Sequence, residues 1–401
     1  MKTVGLLTYH WVSNFGAQLQ TLSTIGYLRK HGCDTVVINW VPKRLYSLYL
    51  DTTSEEQLKV HKDFQQFYGT VSPICYNDDD VCKVISDYKI DLVVIGSDSV
   101  LTYRPYIDRY SIYKWGFKFV KPYEDNEFPS PYWGSFLYKK EVPTAMMSVA
   151  AQNTNYPHIL FRKNKFHELL KKLSYISVRD IWTQRTIQYL TKSEITPKIT
   201  PDPVFSFNQN LAEELVISKD QILEQFGLPD KYIIVCYSKN YFGDGWLESL
   251  ISRFHESGYT VVTMPRALNT AYSPQTDINL QLPITPLEWY YIIKYSSGYI
   301  GELMHALLVS LHNSVPVFSI DEYGMIKNGQ VDESSSKIAH ILEYYGLTAN
   351  SCNVRLKNAP KPSAEFVYEQ ITAFDRKHCE EKSRTRNEEY NKMMQEILSL
   401  V

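Results

Sequence analysis

Long hydrophobic runs are missing from this sequence. No stretch approaches the ~20 apolar residues that a membrane-spanning helix needs. The opening segment MKTVGLLTYHW holds only about five apolar residues before Tyr9, too few for a signal-peptide core. The six cysteines form no CxxC pair and show no metal-ligand spacing with histidine, a pattern typical of packed thiols in a reducing compartment. We therefore expect a cytoplasmic protein without a metal site.

An excess of charge of either sign is missing as well. The 42 basic and 44 acidic side chains nearly cancel, and no basic patch favours a nucleic-acid partner. Charged residues make up 21% of the chain and hydrophobic residues 44%, which is typical of a folded globular protein and not of a disordered one. Because 401 residues exceed one ordinary core, we expect two domains of roughly 150 to 200 residues each.

The first 39 residues predict a β-α-β unit. A buried-type strand over Thr3–Tyr9 leads into a polar loop, His10–Gly16, and then into a helix over Ala17–Lys30. A second strand follows at Asp34–Asn39. This is an opening of the Rossmann type, but the glycine fingerprint GxGxxG is missing, so a dinucleotide site is not supported.

Small and polar residues follow several predicted strands at their carboxyl ends. In open α/β sheets, ligands bind in the crevice beyond these ends. The planar guanidinium of Arg179 can hold a carboxylate or phosphate there, although an ion pair with neighbouring surface charges fits the sequence equally well. The candidate ligand-cleft positions of the first half are Asn14 and Gly16 after the first strand, Ser97 and Asp98 after the strand at Asp91–Ile95, and Arg179 after the strand at Tyr175–Val178.

Strands and helices alternate again after the proline-rich segment Thr196–Pro203, which is the best candidate for a linker. The strands at Tyr232–Tyr237 and Thr260–Met264, with helices between them, predict a second doubly wound sheet. We predict an N-terminal domain over residues 1–200, a C-terminal domain over 201–350, and a helical segment over 351–401 that packs on or between the domains.

The stretch SSGYIGELMHALLVSLHNSVPVFSID carries the candidate for chemistry. It reads as a strand at Gly298–Gly301, a turn at Glu302 and Leu303, a helix that opens near His305, and a strand that ends at Ile320. A histidine at such a turn lies where the first N–H groups of a helix attract anions. His305 is therefore the first candidate for acid–base catalysis. The alternative is that it only caps or packs the start of the helix.

A long segment from Tyr103 to Tyr138 has no clear periodicity and is rich in tyrosine, phenylalanine and tryptophan. Loops of this length in compact domains are usually functional. We expect it to act as a lid or to shape the binding of an acceptor.

Five motifs follow one another along the chain: GLLTYHWVSNFGAQLQTLSTIGYL, DLVVIGSDSV, YISVRD, Asp202-Pro203, and GYIGELMHALLVSLHNSVPVFSID. Together and in this order they resemble the polysaccharide pyruvyl transferase family. The resemblance implies a GT-B-like architecture, in which two Rossmann-like doubly wound domains face each other across a cleft. It implies transfer of the pyruvyl group of phosphoenolpyruvate onto two hydroxyls of a sugar as a cyclic ketal, in the synthesis of exopolysaccharides or other cell-surface glycans, without a further cofactor.

The resemblance also implies roles for single residues. His305 matches the histidine of the family's Arg-Leu-His turn, and Arg179 matches an arginine that binds the donor. Leu303 stands where that turn has its arginine, so another cation must bind the donor; Arg266 and Lys239, at carboxyl ends of second-domain strands, are candidates. A lipid-linked acceptor would place the protein at the inner face of the membrane.

Two other functions fit the same fold. One is a GT-B glycosyltransferase that uses a nucleotide sugar, with Glu302 as the carboxylate that binds ribose. The other is a catalytically silent relative that binds a sugar or a phosphate, which the leucine at position 303 would explain.

Overall fold

The computed structural model describes residues 2–113 and 116–401. Lys114 and Trp115, which belong to the aromatic segment, lie outside the described residues. The strands are β1 (Lys2–Leu7), β2 (Cys33–Val37), β3 (Thr70–Val71), β4 (Leu92–Asp98), β5 (Tyr110–Tyr113), β6 (Gly116–Phe119), β7 (Thr144–Val149), β8 (Tyr175–Val178), β9 (Lys198–Ile199), β10 (Tyr232–Cys236), β11 (Thr260–Thr263), β12 (Ile278–Asn279), β13 (Gly298–Gly301), β14 (Val317–Asp321), β15 (Met325–Lys327), β16 (Gln330–Asp332) and β17 (Ser351–Asn353).

The helices cover the faces of the sheets and connect successive strands. In the described part of the chain, none of them is long and apolar enough to cross a bilayer. They are α1 (Phe15–Lys30), α2 (Lys43–Thr52), α3 (Glu55–Phe64), α4 (Asp78–Asp87), α5 (Lys163–Leu170), α6 (Ile181–Leu190), α7 (Phe207–Asn210), α8 (Lys219–Phe226), α9 (Trp246–Glu256), α10 (Pro286–Lys294), α11 (Met304–His312), α12 (Lys337–Tyr345), α13 (Ala364–Thr372) and α14 (Arg376–Leu398).

Each half of the chain forms a parallel, doubly wound sheet. The first has the order β3-β2-β1-β4-β7-β8-β9 and the second the order β12-β11-β10-β13-β14-β17. The strand order reverses between β1 and β4 in the first sheet and between β10 and β13 in the second, and such switch points are where open α/β sheets bind ligands. The predicted pair of Rossmann-like domains is confirmed. Short antiparallel hairpins, β5–β6 and β15–β16, lie outside the sheets.

One continuous core lies between the two sheets. It contains Leu6 of β1, Leu22 of α1, Ile234 of β10 and Leu308 of α11, all buried. Because α1 is packed on nearly all sides, its sequence shows little amphipathic contrast. At Gly26, in the middle of α1, an added Cβ would lie 2.1 Å from the backbone oxygen of Asn210, so the glycine allows the following segment to approach α1 closely.

The C-terminal residues contact both halves of the chain. Ser351–Asn353, within the segment predicted as helical, forms β17 and pairs with β14. Helix α14 then returns to the first sheet, where the sulfur of Met393 lies 3.3 Å from Oγ of Ser177 and Glu396 accepts a 2.6 Å hydrogen bond from Lys198. This helix therefore ties the two halves together.

The second part of the aromatic segment, from Phe128 to Leu137, is largely core, which differs from the lid that its sequence suggested. Tyr132, Trp133 and Phe136 are fully buried against the first sheet. They belong to two short 3-10 turns, Pro131–Trp133 and Ser135–Tyr138, and turns this short leave no regular apolar period in the sequence. Asp125 and Asn126, from the same segment, reach the surface of a cleft at the carboxyl ends of the sheets.

Candidate active site

The carboxyl ends of the two sheets face each other across a cleft of about 460 Å³. The loop after β1 and the start of α1 form one wall, together with the residue that ends β4. The other wall comes from the loop after β11 and the starts of α11 and α12. The cleft is lined by Asn14, Gly16, Asp98, Asp125, Arg266, Leu303, His305 and Lys337, among other residues.

His305 sits in the first turn of α11 and packs directly on the first turn of α1. A Cβ placed on Gly16 would lie 1.9 Å from Cγ and 2.1 Å from Nδ1 of His305, so only glycine leaves room for the ring. Asn14 caps α1 by accepting a 3.2 Å hydrogen bond from the Ala17 N–H, and this cap fixes the turn against which the imidazole rests. The loop residues Asn14 and Gly16 therefore position the histidine.

A buried charge cluster lies beside the imidazole. Nε2 of His305 is 4.0 Å from Oδ2 of Asp202. The same oxygen accepts a 2.8 Å hydrogen bond from Nη1 of Arg179, whose Nη2 lies 3.5 Å from Oδ1 of Asp98. Gln20 donates a further hydrogen bond to Asp202. One cation thus holds two carboxylates close to the histidine.

Burial lowers the pKa of His305 below its ordinary value, although the charges of Asp202 and Asp98 act in the opposite direction. Burial alone would raise the pKa of Asp98, but the charge of Arg179, together with the charges of His305 and Lys337 and a hydrogen bond from the Ser99 N–H, outweighs it and the pKa is lowered. At neutral pH the site therefore holds a neutral imidazole near the ionised carboxylate of Asp98. Nε2 of His305 is buried on the side of Asp202 and has no hydrogen-bond partner among the described residues. Because the ring also lines the cleft, the imidazole can take and deliver a proton there.

Some of the predicted donor and loop residues do not reach the cleft. The side chain of Arg179 is 3% exposed and points to Asp98 and Asp202. Lys239 pairs with Glu322 at 3.1 Å, away from the cleft wall. Ser97 is buried and donates a 2.7 Å hydrogen bond to a backbone oxygen of β7. Arg179 therefore lies behind the histidine, where it holds Asp98 and Asp202 in place. The positions of Arg179 and Lys239 do not support direct binding of the donor by either side chain.

Arg266 and Glu302 are brought together. Arg266 lines the cleft and forms an ion pair with Glu302, which is 1% exposed. Glu302 also accepts a 2.9 Å hydrogen bond from the hydroxyl of Tyr241. Its carboxylate orients Arg266, so it is not free to bind the ribose of a nucleotide sugar.

Two charged residues of the cleft were not predicted, Lys337 and Asp125. Lys337 begins α12, and its ammonium lies 4.3 Å from the ring centre of Tyr323. Among the described residues, no carboxylate lies within ion-pair distance of Lys337. Asp125 accepts a 2.6 Å hydrogen bond from the Tyr9 hydroxyl, and burial raises the pKa of its carboxyl. The three serines directly before Lys337 are a sequence signal for the start of α12. No such signal marks Asp125, which lies in the aromatic segment without a regular pattern.

The sequence profile described as Polysaccharide pyruvyl transferase matches residues 14–322, which is most of the chain. This chain belongs to the polysaccharide pyruvyl transferase family. The match extends from the cap of α1 to the residue after β14, so it includes His305 and Arg266 but not Lys337 at the start of α12. A comparison with curated protein sequences finds no match.

Solved structures similar to this pyruvyl transferase family member include UDP-sugar epimerases. The UDP-GlcNAc 2-epimerase from Neisseria meningitidis, bound to UDP-GlcNAc, has a TM-score of 0.58 and 10% identity and covers 100% of each chain. The UDP-N-acetylglucosamine 2-epimerase from Rickettsia bellii has a TM-score of 0.52 and 11% identity, covering 100% of this chain and 96% of its own. At these identities the likeness shows the fold alone, which is the GT-B-like pair of Rossmann-like domains.

Proposed function

We propose that this family member transfers the pyruvyl group of phosphoenolpyruvate onto two hydroxyls of a sugar, forming a cyclic ketal and releasing phosphate. The observation that carries the proposal is His305, a neutral imidazole that lines a cleft between two parallel sheets and lies beside the carboxylate of Asp202. Ketal formation requires such a group, because protons must leave two hydroxyls and one proton must reach carbon.

The chemistry takes place in two steps. First, one hydroxyl oxygen bonds to C2 of the donor, while the imidazole of His305 takes the hydroxyl proton and delivers it to the methylene carbon. Next, the second hydroxyl oxygen bonds to C2 as the bond from C2 to the phosphate oxygen breaks. The second proton passes through the imidazole to the leaving phosphate. The imidazole is neutral before and after each step, so one histidine serves as base and acid.

The charges of the two walls favour an assignment of the substrates. Arg266 and Lys337, on the second-domain wall, suit the carboxylate and phosphate of the donor. The first-domain wall carries Asp98 and Asp125, together with side-chain hydroxyls and amides that suit sugar hydroxyls. Those neutral polar groups belong to Ser99, Thr102, Asn126, Gln152 and Asn153.

The experiment that tests the proposal measures phosphate release. The full chain is incubated with phosphoenolpyruvate and a panel of free and lipid-linked sugars, and the ketal methyl group is followed by NMR. We expect release that depends on an acceptor and equals the ketal formed. No release with any acceptor, and no donor binding by calorimetry, would refute the proposal. Turnover of a nucleotide sugar instead would identify a glycosyltransferase.

Lys337→Gln is expected to raise the KM for phosphoenolpyruvate by about tenfold and to change kcat little, because a charge-assisted contact to the donor is lost. Removal of this charge should also raise the pKa of His305 in the free protein, since Lys337 lowers it. Steady-state kinetics and NMR titration of the imidazole provide the two measurements. Lys219→Gln, an exposed lysine paired with Asp230, is the matched control. An unchanged KM would remove Lys337 from the donor site.

A further inference from the structure

Large apolar side chains are exposed together on one side of the first domain. Six of them come from two segments: the first consists of 106–110 together with Phe119, and the second of 160–161. Soluble proteins usually scatter such residues singly, and a contiguous exposed patch marks an interaction surface. The residues, which we call the apolar patch, are Phe161 (67% exposed), Leu160 (60%), Tyr110 (59%), Phe119 (52%), Ile107 (47%) and Tyr106 (37%).

Contacts join the two segments into one surface. Asp108 and His158 form a 2.7 Å hydrogen bond between them. The guanidinium of Arg162 lies 5.3 Å from the ring centre of Tyr106. Next to the first segment, the backbone N–H of Val120 donates to the backbone oxygen of Arg109, and this bond closes the base of the hairpin β5–β6.

Cations border the apolar patch. Arg162, Lys163 and Lys165 follow Phe161 directly, and Lys121 follows the hairpin. Arg162, Lys165 and Lys121 are exposed. Of the nearby carboxylates, Asp108 is already bound to His158, and Glu168 on α5 remains exposed. Apolar side chains bordered by lysine and arginine suit a surface that offers both hydrocarbon and negative charge, which is an anionic bilayer.

Short stretches of chain connect the apolar patch to residues that line the cleft. The chain continues from the hairpin to Asp125 and Asn126, which line the first-domain wall, and Thr102, just before the first segment, lines it too. We propose that the apolar patch docks on an anionic membrane surface, with Leu160 and Phe161 inserted between headgroups. This orientation would hold the acceptor wall near the lipid. Its use for a lipid-linked acceptor rests on the proposed function, whereas the docking does not.

Vesicle sedimentation tests the docking without turnover. The full chain is mixed with vesicles of phosphatidylcholine alone or with phosphatidylglycerol added. We expect binding to the anionic vesicles that weakens with salt, and about tenfold weaker binding for the double variant Leu160→Ser/Phe161→Ser and for Lys163→Glu/Lys165→Glu. Val216→Ser removes another exposed apolar residue, 55% exposed, from outside the apolar patch and should bind normally.

Several outcomes would overturn the membrane proposal. One is a lack of binding to anionic vesicles, and another is binding that neither double variant weakens although both keep the wild-type thermal transition. A dimer in light scattering that Leu160→Ser/Phe161→Ser dissociates would assign the apolar patch to a second copy of the chain. Ketal formation on a free sugar without membrane binding would refute the docking and leave the proposed function intact.

Discussion

Replacement of His305 with glutamine is expected to lower kcat by about 10³-fold, because the same group removes hydroxyl protons and protonates carbon, and each proton transfer typically contributes 10² to 10⁴. Glutamine keeps a polar side chain of similar reach but cannot exchange protons at neutral pH. Donor affinity should change by no more than about threefold, since the cations that face the donor are untouched. Single-turnover phosphate release and calorimetry with phosphoenolpyruvate measure the two quantities separately.

The role of His305 as acid–base group also predicts how the activity changes with pH. The pKa of His305 lies below its ordinary value because the ring is buried. The free enzyme needs the neutral imidazole, so kcat/KM for the donor should fall as the pH drops below that pKa and stay level above it. The residual activity of His305→Gln should lack this acidic limb.

The matched control is His255→Gln. This histidine lies in the second domain, is exposed, and pairs with Asp277 at 2.8 Å far from the reacting groups. It should keep the wild-type kcat. If His305→Gln retains kcat within about tenfold of the wild type, the imidazole is not the acid–base group and the proposed two-step chemistry is wrong.

Much of the fold could be predicted because its signals are local. The bounds predicted for β8 and β13 agree with the structure, since each strand is a short apolar run. Helix caps are local as well: Asp180 accepts a 2.7 Å hydrogen bond from the Thr183 N–H at the start of α6. The edge strands β3 and β12 have two residues each and no pattern of their own. They form because the neighbouring strand has free backbone N–H and C=O groups for them to pair with. A local sequence pattern cannot show this.

The candidate site was predictable where it depends on strand order. Asp98 ends β4, while Gly16 and His305 lie in the first turns of the helices that follow β1 and β13. In open α/β sheets such positions meet in one crevice at the carboxyl ends of the strands. The direction of Arg179 was not predictable, because it depends on Asp202, which lies at the end of the linker segment and turns the guanidinium inward. Lys337 reaches the cleft only through the packing of α12 behind β14. Long-range packing therefore decides which cations remain free for a ligand.

Gly16→Ala is expected to lower kcat by at least about 10²-fold, because displacement of a catalytic group by about 1 Å has that effect. The added methyl group would overlap the side chain of His305, because it would lie 1.9 to 2.3 Å from Cγ, Nδ1 and Cβ of that residue. The ring or the start of α1 must move to relieve the overlap. Neither wall of the cleft loses a charged group, so donor binding should be retained. Kinetics, calorimetry and the NMR shift of the His305 ring test this.

Gly26→Ala separates displacement of the histidine from general damage to the domain interface. Its Cβ would also overlap, here with the backbone of Asn210, but ten residues further along α1, a distance of about 15 Å. Both variants should lose about 1 to 3 kcal/mol of unfolding free energy through overpacking. Only Gly16→Ala should lose kcat when both are assayed well below their thermal transitions. Equal losses of kcat would mean that the interface as a whole, and not the contact between Gly16 and His305, sets the activity.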